Sequence, residues 1–173
     1  RPKRRTRAII AKEKGLEPLA NLILLQQVTH PIEEEAKAYL NEEKEVHTVE
    51  GAIAGAKDII AEHISDEAAY RMHIRKQTEK EGMMLSEAKD ENAESVYEMY
   101  YHFEEPIQKL AGHRILALNR GEKEKILTVK VQAPKEKILS YLEKKVIVAQ
   151  NPYTTPVLRE AIEDSYQRLI EPA

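Results

Sequence analysis

One short run sets the terms for the rest of this chain. Leu127, Val129 and Val131 alternate with Thr128 and Lys130, the period of two that a half-buried strand requires. Elsewhere the apolar residues fall mostly at helical spacing. Just before the run, Arg120-Gly121-Glu122-Lys123-Glu124 reads as a charged turn, with Gly121 breaking a helix expected over His113 to Arg120. The aromatic content agrees with a helix-rich chain rather than a β-sandwich: eight Tyr, one Phe and no Trp. At 173 residues, the chain is long enough for one sizeable core or two small ones.

Taken in order, the helices carry their own punctuation. Thr6 is placed to cap a short helix through Ile9, Ile10 and Ala11, with Gly15 as its stop. Pro18 suits the first turn of a second helix, Leu19 to Gln27, apolar nearly all round and so expected to be buried. Pro31 opens a third, with Glu33, Glu34 and Glu35 complementing its positive end. Thr48 caps the most regular helix, where Val49, Ala52, Ile53, Ala56, Ile59, Ile60 and Ile64 share a stripe. Gly51, Gly55 and Ala56 are small and permit a close helix neighbour, at some cost in propensity. Ser65 is read as the boundary with the next helix, which Gly82 terminates. A helix is expected from Glu91 to Phe103, with Ala93, Val96, Tyr97, Tyr100 and Tyr101 inward, and another from Lys135 to Val146. Thr155 is read as the cap of the last one and Pro156 as its beginning, after a turn at Asn151-Pro152-Tyr153. The expected class is mainly α: multi-helical, with a helix-turn-helix-like helical unit and at most a small β element near residues 83–88 and 125–132.

Much chemistry is excluded by what the chain lacks. Without cysteine there is no disulfide and no thiolate metal site. The six histidines show no His-Glu-x-x-His pair, and neither GxGxxG nor GxxxxGK[ST] occurs. Carboxylates are abundant, but nothing selects a catalytic pair among thirty of them. A non-enzyme is expected, with no cofactor, no metal and no small-molecule substrate. No apolar run approaches the roughly 20 residues of a membrane helix, and a cytoplasmic location is expected. The absence of an initiator Met and the end directly after a helical pattern suggest a piece of a longer protein.

Charge is unevenly spread. From Arg1 to Lys14 seven basic residues face only Glu13, a net +6, while the whole chain is −3, so the remainder is −9. A basic end on an acidic body points to an anionic partner or to internal salt bridges. Lys3, Arg4, Arg5 and Arg7, beside a helix start, are the candidate nucleic-acid-binding residues; they would touch phosphates and read no bases. The consecutive helices from Pro31 to Glu81 have the order of a helix-turn-helix. The outward residues of the Thr48 to Ile64 helix (Glu50, Lys57, Asp58, Glu62 and His63) are not a basic reading surface, which favours a packed trihelical unit over base recognition.

Five blocks carry a family resemblance: Lys3 to Ala8 (KRRTRA), Gly15 to Ala20 (GLEPLA), Ala54 to Glu62 (AGAKDIIAE), His113 to Glu124 (HRILALNRGEKE) and Asn151 to Arg159 (NPYTTPVLR). In this order they strongly resemble the Tex family of bacterial transcription accessory proteins. The resemblance implies the N-terminal helical region of a multidomain nucleic-acid-binding protein whose nuclease-like domain and OB-fold RNA-binding domain lie outside this chain. It implies three parts: residues 1–15 as a basic segment of the helical scaffold, 16–82 as the helix-turn-helix-like domain, and 83–173 as further scaffold with a short strand. The implied partners are nucleic acid, RNA or DNA, through the full-length protein, and the transcription machinery. The expected role is a non-catalytic scaffold offering phosphate contacts. The alternative is a protein-interaction scaffold that docks the parent's nuclease-like domain or the transcription machinery, in which the Leu127 to Val131 strand offers a free edge.

Overall fold

The computed structural model describes residues 5–172. Among them are eight α-helices: α1 (Arg7–Glu13), α2 (Glu17–Leu25), α3 (Ile32–Ala36), α4 (Val49–Asp66), α5 (Ala68–Glu81), α6 (Gly112–Lys123), α7 (Lys135–Val146) and α8 (Thr155–Asp164). Three strands, β1 (Met83–Ala88), β2 (His102–Pro106) and β3 (Leu127–Gln132), form one antiparallel sheet in the order β2-β1-β3. The chain is thus mainly α with a small β element. It divides into two units, one made of residues up to Arg71 together with those from Leu139 onward, the other of Met72–Ile138.

In the first unit α4 is the hub, with α1, α2, α3 and α8 all packed on it. Its capping is as the sequence suggests: the Thr48 hydroxyl accepts from the N–H of Gly51 at 2.9 Å. Ala52, Ala56, Ile59, Ile60, Ala61 and Ile64 are buried on its inner side. Helix α1 closes with a pair of bonds that reverse the chain. Gly15, at φ +79°, donates to the carbonyl of Lys12, and Leu16 donates to that of Ala11. This turn sets Leu16 against Gly55 of α4. Gly55 has no side chain to obstruct it, which is the close packing its place on the stripe suggests.

Helix α2 departs from its expected full burial. Leu19, Ala20 and Ile23 are inside, but Leu25 is 63% exposed. The helix stops there because Gln26 turns left-handed, at φ 57°, and is itself buried. The Gln26 amide then holds the chain that follows α7: it donates to the Val146 carbonyl at 2.8 Å and accepts from Val148 and Ala149. Ser65 is no boundary, since α4 runs to Asp66 and the Ser65 hydroxyl donates back to the Glu62 carbonyl. After α8 the helix widens into a π turn, Ser165–Ile170, where the buried Ser165 hydroxyl donates to the α4 carbonyl of Ala61 at 2.7 Å.

In the second unit the sheet is larger than the sequence suggests, because β2 occupies the end of the expected Glu91 to Phe103 helix. Local side-chain bonds hold residues 90–101 in turns instead. Asp90 accepts from the Asn92 N–H, Ser95 accepts from the Tyr97 N–H, and the Tyr101 hydroxyl donates to the Ala93 carbonyl. Such bonds compete directly with helix formation. Tyr97, Tyr100 and Tyr101 still enter the core, with Leu118 and Leu127. Val96, expected inward, is 86% exposed.

Helix α6 crosses the inner face of the sheet. Near its start Arg114 stacks 5.6 Å above the Phe103 ring and donates to Glu105 at 3.4 Å, both on β2. Near its end Gly121 lies against Leu127 of β3. The expected break at Gly121 does not occur. The helix continues to Lys123, and the left-handed residue is Lys125, at φ 64°. Lys125 donates to the Glu122 carbonyl and Ile126 to that of Gly121, the same reversal that Gly15 makes after α1.

Candidate functional site

Of the four candidate phosphate-binding residues, Lys3 and Arg4 lie outside the described residues. Arg5 and Arg7 stand at the start of α1, both exposed. The Arg5 guanidinium donates to Glu13, one helix length away. Thr6 between them is fully used: its oxygen accepts from the Ile9 N–H at 3.2 Å, and its hydroxyl donates to Glu62 of α4 at 2.8 Å.

Arg7 belongs to a charged cluster on the same unit. Burial raises the pKa of Asp58 above the ordinary carboxylate value, and the positive charges of Arg168 and Arg7 oppose that rise in part. Arg168 is fixed by Asp164, to which it donates at 2.9 Å, and stands 3.8 Å from Asp58. Lys57 pairs with Glu160 of α8 at 2.6 Å. Three outward side chains of α4 therefore have partners within the unit: Lys57 on α8, Asp58 at Arg168 and Glu62 at Thr6. Around Arg5 and Arg7 the surface is a balanced set of charges rather than a basic plate.

Positive charge is more openly displayed elsewhere. In the second unit, Arg75, Lys76 and Lys80 of α5 are exposed, and no described carboxylate lies within ion-pair distance of them. The signal for them in the sequence is the weak apolar side of that helix, which buries only Ile74. His113 is exposed beside Arg114. No group of three His, Asp or Glu among the described residues is arranged to hold a metal ion. No described helix is long and apolar enough to cross a membrane.

The blocks that mark the sequence serve packing. Gly55 seats Leu16, and Gly121 seats Leu127. Asn151 organises its own turn: its carbonyl accepts from the N–H groups of Tyr153 and Thr154, and its amide donates to Val28 at 2.9 Å and Gln26 at 3.4 Å. Residues 27–162, spanning Gly55, Gly121 and Asn151, match the family model described as Tex central region-like.

The chain belongs to that Tex family.

Among individual relatives, it is 51% identical to the uncharacterized protein YdcI of Bacillus subtilis, over 99% of this chain and 24% of the relative. It is 33% identical to the transcriptional accessory protein Tex of Neisseria gonorrhoeae, over 75% of this chain and 17% of the relative. It is 28% identical to the S1 RNA-binding domain-containing protein 1 of Pongo abelii, over 96% of this chain and 18% of the relative. The chain thus spans a quarter or less of the length of these Tex-related proteins. The resemblance and the match agree on the Tex family; the matched model describes its central region rather than an N-terminal one, holds three of the five blocks, and takes in residues of both units.

Proposed function

We propose that this chain is a non-catalytic helical scaffold within a cytoplasmic, nucleic-acid-binding transcription accessory protein. In that reading Lys3, Arg4, Arg5 and Arg7 add contacts to the phosphate backbone, without base readout. The observation that carries the scaffold role is the use made of the family-marking residues. Gly55 and Gly121 are engaged in close packing, and Asn151 ties its turn to the segment after α2. The names of the relatives support the wider setting, one as a transcriptional accessory protein and one as an RNA-binding domain protein. The helix-turn-helix-like unit, residues 16–82, belongs to this reading as a packed element, since Lys57, Asp58 and Glu62 of α4 meet Glu160, Arg168 and Thr6.

A salt-dependent titration tests it, with the full-length protein and this chain each measured against single- and double-stranded DNA and RNA. Neutralising the four basic residues together is expected to weaken binding by the full-length protein and to lower its log–log salt slope by up to roughly 3.6 on a duplex and roughly 2.8 on a single strand. An unchanged affinity and slope would remove them from the interface.

A second reading is favoured by one feature of the sheet. Strand β3 pairs with β1 on one side only. It would then be a docking edge for the parent's own nuclease-like domain or for the transcription machinery. Amide exchange separates the two readings: equal protection of β3 in this chain and in the full-length protein speaks against docking within the parent.

A further inference from the structure

The outer edge of β3 is specific enough to define what it binds. Lys89 donates to the Ile126 carbonyl, and the register pairs Thr128 with Glu87, Lys130 with Leu85 and Gln132 with Met83. In an antiparallel ladder, alternate residues turn their backbone groups to the partner strand. Residues 128, 130 and 132 therefore bond to β1, and Val129 and Val131 turn their N–H and C=O groups outward. Among the described residues no hydrogen bond is made by either of those N–H groups.

The opposite edge of the sheet is blunted. On β2 the outward positions are His102, Glu104 and Pro106. Pro106 has no N–H, and His102 pairs with Glu91 at 3.0 Å. Charge divides in the same way. From Asp90 to Glu105 there are six carboxylates and no Lys or Arg, whereas from Arg120 to Lys137 six basic residues outnumber three acidic ones. The side chains along β3 add the remaining detail. Val129 and Val131 lie on the face that carries the core, where α6 covers Leu127 but leaves Val131 53% exposed. Lys130 stands on the other face, exposed.

We propose that β3 binds an extended acidic segment of another polypeptide by strand addition, with the pattern apolar–acidic–apolar. This rests on the docking reading of the β3 edge and gives its partner a chemistry. Residues directly opposite in a ladder share a face. The two apolar residues of the added strand then cover Val129 and Val131 and extend the core, and the acidic residue between them meets Lys130. A phosphate backbone has no donors for the outward carbonyls of the two valines, so nucleic acid fits this edge less well. A second copy of the chain would, in the two-fold register that pairs Val129 with Val131, set Lys130 against Lys130, and like charges directly opposite are unfavourable.

The test uses the 173-residue chain and two labelled seven-residue peptides, one alternating valine with glutamate and the other valine with lysine. Anisotropy titrations at low salt are expected to show the glutamate peptide binding at least about tenfold more tightly, with slowed amide exchange at Val129 and Val131. Val129→Pro removes an outward N–H without touching the β1 ladder and should abolish binding. Lys130→Glu alters only the exposed face, so its fold is safe, and it should invert the peptide preference. Equal binding of both peptides, binding of neither, or unchanged exchange at the two valines would overturn the proposal. So would self-association that protects the same amides, or displacement of the peptide by oligouridylate. Tighter binding of the lysine peptide with protection of Val129 and Val131 would overturn the acidic partner yet leave the docking edge standing. Equal β3 protection in the full-length protein, without added peptide, bears on docking within the parent alone.

Discussion

The Cδ1 methyl of Leu16 occupies the space over Gly55 in which a side chain at 55 would begin. Leu16 is buried, at 1% exposure, so it has no free direction in which to withdraw. Gly55→Ala would gain roughly 1 kcal/mol of helix propensity but overpack the α1–α4 contact by about 1–3 kcal/mol. A net loss of up to about 2 kcal/mol is expected in urea unfolding. In a Leu16→Ala background the same substitution should become neutral or stabilising, which a double-mutant cycle would reveal.

Asn151 joins its own turn to the segment after α2 through both ends of its amide. Asn151→Ala removes two acceptor and two donor bonds and strands partly buried backbone groups. A loss of about 2–4 kcal/mol is expected. Asn151→Asp keeps the acceptor for Tyr153 and Thr154 but presents an oxygen to the Val28 carbonyl, so it should not restore stability. Chemical denaturation of both variants checks this.

Two positions near the end of α6, Lys125 and Gly121, should respond in opposite directions to the exchange of a side chain for none or the reverse. Lys125 holds a left-handed backbone without need of its exposed side chain, and Lys125→Gly is expected to stabilise by about 0.5–1 kcal/mol. Gly121 is helical, buried and set against Leu127, so Gly121→Ala should destabilise by up to about 2 kcal/mol net of its better propensity. Thermal melts of the pair would separate conformational strain from steric crowding.

Asp58 makes stability depend on pH with a defined sign. Burial raises its folded-state pKa above the unfolded value, so the folded chain binds the extra proton and this group's contribution falls as pH rises through that window. Asp58→Asn removes the ionisation. It should leave stability unchanged well below the ordinary carboxylate pKa and raise it at pH 7. Arg168→Met does the reverse at pH 7, because Asp58 and Asp164 then lose their shared cation. Denaturation midpoints at pH 3 and pH 7 would show both effects.

Much of the first unit is legible from single residues. Thr6, Gly15, Pro18 and Thr48 each act over one turn of chain, and each does what its chemistry predicts. The segment from Glu91 to Phe103 misleads because Tyr97, Tyr100 and Tyr101 have helical spacing. That spacing records which side chains are buried, and a chain of turns stapled by Asp90, Ser95 and Tyr101 buries the same three rings. Gly121 misleads for a related reason. A glycine near a helix end serves either as a left-handed stop or as a seat for a neighbour, and only the position of Leu127 distinguishes them.

The candidate site divides along the same line. The mainly helical class, most helix starts, the strand at Leu127 to Val131 and the uneven charge are all legible locally, because they depend on residues within a turn or two of one another. Tertiary structure decided which carboxylates face Arg5 and Arg7, where Arg168 meets Asp58, and that β2 blunts one edge of the sheet while Val129 and Val131 leave the other open. Those facts join residues from 8 to 110 positions apart, as Arg5 with Glu13 and Asp58 with Arg168 do. No local pattern encodes such pairings; they follow from how α4 gathers its helices and how β1 is flanked by its two neighbours.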